Sequence, residues 1–217
     1  MCINWYTSLA TFTVGTVVNA MIWHETDNVN YRMMVIVWQF VLFMQALDFL
    51  AWIDPKCGKL NQLVTKVAYL QNILQPIVLG LVLLIGTQVK ELKPKIYAAL
   101  SVIFYIGVTL YTLYFSDSPF AKASKPLACL APTKTCQHLD YTWWHMLERS
   151  AIFVYLVPVV TCILLLLKPT TFARYNVMYV IVSYLASWFF YGCGRPTVFC
   201  LFAVGAPIMN YILLRHG

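Results

Sequence analysis

Charge is what this chain has least of. Eight acidic and fifteen basic side chains serve 217 residues, 11% in all, where a soluble domain carries about a quarter. With 61% hydrophobic residues and a mean hydropathy of +0.72, the chain has too few polar groups to cover its apolar surface in water. The lipid bilayer is therefore its expected solvent and first partner. The basic residues are spread over the loops, and no basic block or aromatic-interleaved basic patch points to nucleic acid. Their net +7 is read as attraction to anionic headgroups. A Gly-rich phosphate loop, a nucleophile elbow and an HExxH helix are all missing, which removes the enzyme classes built on them. Heptads, low-complexity tracts and a separate soluble domain are missing too.

Further absences narrow the membrane classes. No lysine follows Lys168, so a retinal Schiff base in a last span is excluded. His24, His138, His145 and His216 all fall at span ends or in loops, which excludes haem held between paired intramembrane histidines, and no cofactor is expected. The third span ends Thr87-Gln88-Val89-Lys90 without an acidic-arginine pair, and Pro207 has no Asn before it, so likeness to G-protein receptors stops at topology. Gln75-Pro76 reverses the Pro-Gln order of small sugar transporters. Met1 to Asn4 lacks a positive n-region, so the first apolar run is expected to be an anchor that stays.

What the chain does have is long apolar runs. Seven of them, at residues 5–23, 31–52, 64–87, 96–115, 148–167, 172–191 and 196–214, each have the roughly 17 to 25 residues a bilayer requires. The expected fold is all-α: one domain over residues 1–217, a polytopic transmembrane bundle of about seven spans. Six or eight spans stay open because residues 141–146 either extend the fifth run or lie on the surface. Residues 116–142, with Pro119, Pro126 and Pro132, are too long for a simple connector and are expected to form a small cap. An aromatic content of 16% suits interfacial belts. Pro76, Pro158 and Pro207 fall inside runs, as hinges or packing kinks.

Orientation does not follow from the basic loops, which carry seven Lys and Arg on one side and eight on the other. The cysteines speak more clearly. Cys57, Cys129, Cys136 and Cys193 fall in loops on one side, with Cys2 at the N-terminus, and disulfides persist in oxidising compartments. That side is expected to be lumenal or extracellular and Arg215 cytoplasmic; chance placement is the alternative. Cys129 to Cys136 is the most local pairing, though four cysteines allow three connectivities. Cys162 and Cys200 lie in runs and read as small buried hydrophobes.

Polar residues inside the runs mark the candidate site. Gln45 and Asp48 lie near the end of the second run, and Gln71, Asn72 and Gln75 lie in the third. With a hinge over residues 54–63, the two runs are antiparallel. Asp48 is then about 9 Å inside Asp54 and Gln71 roughly 8 Å inside Lys66, so the groups are expected to face one another in one leaflet. His145 and Glu148 share a helical face at i,i+3 and could join them. An intramembrane ionisable residue is a functional hypothesis by default, and Gln71 or Arg149 is the partner named for Asp48. The alternative is that the amides only tie helices together, worth about 0.6 kcal/mol per pair. A second, smaller meeting of Asn19, His24 and Asn210 is allowed at the opposite end.

The pieces Phe43-Met44-Gln45-Ala46-Leu47-Asp48, residues 68–76 (Ala-Tyr-Leu-Gln-Asn-Ile-Leu-Gln-Pro) and Ser187-Trp188-Phe189-Phe190 resemble those of an uncharacterised family of seven-span membrane proteins from large DNA viruses and protists. The chain departs from that pattern at Met44, where the family has an acidic residue. The resemblance implies fold and membrane location and brings no activity. Three functions follow from the residues: binding or transport of a small polar solute, cation or lipid headgroup around Asp48; a metal-dependent lipid hydrolase built on His138, His145, Glu148 and Asp48; or a structural protein of a virion or organelle membrane.

Overall fold

The computed structural model describes residues 5–54, 58–115, 149–190 and 203–216, and among these the chain is entirely helical. Among the described residues seven helices follow one another: α1 (Trp5–Glu25), α2 (Val29–Ile53), α3 (Lys59–Gly86), α4 (Leu92–Phe115), α5 (Arg149–Leu166), α6 (Thr170–Phe190) and α7 (Gly205–His216). They match the seven apolar runs in order. By length and composition three stretches are able to cross a membrane, Val29–Ile53, Lys59–Gly86 and Leu92–Tyr111, and Val154–Leu166 is a shorter apolar helix. The expected cap at residues 116–142 and the disulfide candidates Cys57, Cys129, Cys136 and Cys193 lie outside the described residues.

Polarity in this bundle is turned outside in. On α1 the buried positions are Ser8, Thr11, Gly15, Asn19 and Ile22, spaced three and four apart as one helical face, while Leu9, Val14, Val17 and Met21 are exposed. The same inversion holds on α3, which buries Asn61, Thr65, Gln71, Asn72 and Gln75 and exposes Leu63, Val67, Leu70 and Ile85. Outermost is α4, with Leu92, Ile103, Leu110 and Tyr111 at its surface. The inner apolar mass is split. One cluster joins Met34 and Trp38 of α2, Leu83 of α3, Ile163 of α5 and Val177 of α6; a smaller one, with Met44, Leu47, Val64 and Ala68, belongs to α2 and α3 alone.

Local chemistry explains the helix ends. Asn28 caps α2, its side chain accepting the Asn30 N–H at 2.9 Å. At the other end Asp54 terminates α2 and caps α3. One carboxylate oxygen accepts the Gly58 N–H at 3.1 Å and the other the Asn61 N–H at 3.0 Å, while Asn61 donates back to the Ala51 and Asp54 carbonyls at 3.3 and 3.0 Å. This clip starts α3 at Lys59, five residues before the expected Val64, and makes the hinge correspondingly shorter. Pro207 corrects a second expectation: it stands in the first turn of α7, where its missing N–H interrupts no helical bond.

The far ends are tied to one another. Arg215 of α7 meets Glu25 of α1 at 2.6 Å, the Lys168 N–H donates to Asn30 at 3.2 Å, and the Thr87 hydroxyl donates to the Leu166 carbonyl at 2.8 Å. The ends of α1, α3, α5 and α7 and the start of α2 therefore share one side of the bundle. The Arg215 guanidinium is held above its ordinary pKa, first by its hydrogen bond to Tyr211 and then by the charge of Glu25.

Candidate functional site

The polar faces of α1, α2 and α3 determine which residues meet. Between α1 and α2, the Thr11 hydroxyl lies 3.1 Å from Gln45 Oε1, Asn19 donates to Gln39 at 3.1 Å and Gln39 donates to Thr16 at 3.1 Å. Gly15 lets the two helices approach, since a Cβ there would stand 2.5 Å from Leu42 Cδ1. Continuing this antiparallel pairing brings Ser8 level with Asp48, and both are fully buried. Between α2 and α3, the pairs Asn61 with Ala51 and Gln71 with Phe40 set the register. That register puts Leu63 and Val64 level with Asp48, with the buried Thr65 one or two residues beyond.

Gln71 consequently sits deeper than the sequence suggested. Its Nε2 donates to the Phe40 carbonyl at 2.6 Å, eight residues along α2 from Asp48, an axial offset of about 12 Å. Gln75, a turn further on, lies about 18 Å from the Asp48 level. The expected single layer is a column. The cause is the Asp54 clip, which makes helical the residues 59–63 assigned to the hinge and so moves Gln71 and Gln75 toward the bundle centre. Gln45, Asp48, Gln71, Asn72 and Gln75 all point inward, with at most 7% of each exposed.

Gln71 and Gln75 have defined partners. A carbonyl only accepts, so the Phe40 contact fixes the sense of the Gln71 amide. It leaves Oε1 buried with no hydrogen-bond donor among the described residues. Gln75 Oε1 accepts from the Tyr155 hydroxyl of α5 at 2.5 Å, and the Tyr105 hydroxyl of α4 donates to the Ile73 carbonyl at 3.0 Å. The two tyrosine rings meet edge to face, centroids 6.4 Å apart.

Sequence reasoning missed Tyr105, Tyr155 and a second chain of bonds around Asn176. Trp38 Nε1 donates to Asn176 Oδ1 at 3.3 Å, and Asn176 Nδ2 donates to Asn210 Oδ1 at 3.1 Å. The signal was available, because Asn176 is an amide inside an apolar run just as Gln45 is. Of the residues expected to meet at the opposite end, Asn19 donates to Gln39 and Asn210 accepts from Asn176. Cys162 is buried beside Ser101 as a small core residue.

His145 and Glu148 lie outside the described residues, as does His138. Among the described residues no three His, Cys, Asp or Glu side chains gather into a metal site. No protein-family model, curated protein or solved structure matches the chain.

Proposed function

We propose that the chain is a multi-pass membrane protein whose seven helices cross the bilayer, with the N-terminus lumenal or extracellular and the C-terminus cytoplasmic. In this reading it binds or passes a small polar solute, cation or lipid headgroup through the polar column that opens at Asp48. The inverted polarity of α1 and α3 supports the membrane setting, because a helix that buries amides and exposes leucines is stable only where the surroundings are apolar. Alternating spans are supported by the shared side on which Glu25, Asn30, Thr87, Leu166 and Arg215 meet.

The observation that carries the functional reading is Asp48. Its side chain is 0% exposed in a helix long and apolar enough to cross a membrane, where an acid costs about 2.5–3.5 kcal/mol to insert. A chain keeps such a group when it has work for it. Gln45 shares its face one turn deeper, Ser8 is level with it, and the buried Thr65 lies within about two residues of that level. Asp48 is the counter-charge or proton carrier, and Gln45, Gln71, Asn72 and Gln75 line the way inward. In proteoliposomes a flux of small cations or polar solutes should fall strongly in Asp48→Asn; flux equal to the parent's removes Asp48 from the role.

A structural role is the second reading. It is favoured by the engagement of Gln71, Gln75 and Asn176 in bonds between helices. Under it Asp48→Asn changes thermal stability and no flux exists to lose.

A further inference from the structure

The turn of α3 from Gln71 to Pro76 holds two acceptors, the Asn72 main-chain carbonyl and Gln71 Oε1, that lack a usual donor. Pro76 has no N–H, so the Asn72 main-chain carbonyl does not receive the usual bond from four residues on. Gln71 Oε1 is buried and takes no hydrogen bond among the described residues. Three nearby donors are directed elsewhere: Tyr155 to Gln75, Tyr105 to Ile73 and the Gln71 amide nitrogen to Phe40. Phe40 and Gln71 stand near the middle of their helices, which cover Val29–Ile53 and Lys59–Gly86. In the seven-span reading this is the bilayer midplane.

A pair of acceptors selects what it binds. Water or an alcohol brings lone pairs of its own that need donors, whereas an alkali-metal ion or a primary ammonium brings none. Hard divalent ions gather several carboxylates, and this turn has none. Unwound or interrupted helices whose carbonyls face inward are a general way for a bundle to coordinate a monovalent cation. We infer that the Gln71–Pro76 turn of α3 binds a monovalent cation, an alkali-metal ion or a primary ammonium, through the Gln71 amide oxygen and the Asn72 main-chain carbonyl. The inference rests on the reading above in that a solute reaches the bundle interior past Asp48, but binding itself needs no transport.

The test uses the full chain in lipid nanodiscs. Thermal unfolding is followed in sodium, potassium or methylammonium chloride against N-methylglucamine chloride at constant ionic strength. The expected result is a saturable rise in Tm with at least one of the three cations; whether the alkali salts or methylammonium give it tells the two sources apart. Pro76→Ala returns an N–H to the Asn72 carbonyl, and Gln71→Met removes the amide oxygen at similar volume. Each should weaken the apparent affinity about tenfold, as loss of one contact to a charged ligand implies. Should Gln71→Met fail to fold, Pro76→Ala decides, since alanine only favours the helix. Asp48→Asn should keep the saturable rise, so loss of flux in that variant with binding intact separates this site from the transport reading. No saturable rise with any cation, or a rise unchanged in Pro76→Ala, overturns the inference.

Discussion

Asp54 and Gly58 form a coupled pair, and a double-mutant cycle will show it. The Asp54 carboxylate supplies both acceptors that close the first turn of α3. Removing them in Asp54→Ala should cost about 1 kcal/mol for the cap, within a range of about 0.5–2. A further 0.3–1 kcal/mol or so goes with the lost charge at a helix N-terminus. Gly58 has an extended backbone, φ −69° and ψ −171°, that any residue adopts, so its role is space rather than conformation. A Cβ there would stand 2.5 Å from one Asp54 carboxylate oxygen and 2.7 Å from the other. Gly58→Ala must therefore push the carboxylate off the same two N–H groups. If so, the double variant costs little more than either single one, a coupling of about 1 kcal/mol or more. Reversible unfolding in mixed micelles measures the cycle, and amide exchange at Asn61 reports the cap directly. Additivity within about 0.3–0.5 kcal/mol would refute the reasoning, and so would an Asn61 amide that Asp54→Ala leaves fully protected.

Two more outcomes follow from buried contacts. Tyr155→Phe deletes the donor to Gln75 Oε1 and should destabilise by about 1–3 kcal/mol, the cost of an acceptor left buried. Adding Gln75→Leu should recover part of that loss in the same unfolding assay, and no recovery would mean the bond is not what Tyr155 contributes. Gly15→Val forces a side chain into Leu42 and should cost about 1–3 kcal/mol by overpacking. In Gly15→Val/Leu42→Ala the new side chain takes up the vacated volume, and unfolding of the double variant should show a smaller loss than the two single losses added.

The positions of the helices were legible because a run of apolar residues long enough to cross a bilayer has few other uses. The inward-facing polar residues were legible for the same reason, as interruptions in those runs, and Gln45, Asp48, Gln71, Asn72 and Gln75 are indeed buried. Their levels were not legible. Lys59, Asn61 and Gln62 look like loop residues, and only the Asp54 carboxylate, which reaches across the hinge, reveals that they are helical. Tyr155 and Asn176 escaped notice because their partners are distant along the chain, Gln75 by 80 residues, Trp38 by 138 and Asn210 by 34, and no local pattern announces such pairs. Tyrosines in apolar runs also read as interfacial, which hid the role of Tyr105.

The tie between Glu25 and Arg215 imposes an order on biosynthesis. Its partners are separated by 190 residues, whereas the Asp54 clip joins residues at most seven apart. The α2–α3 hairpin can therefore close on its own local contacts, whereas the tie of α1 to α7 waits until both helices are made. Until then Glu25 has no guanidinium beside it, and Asn176 lacks Asn210. Both are polar vacancies, and α7 fills them in one step as it docks.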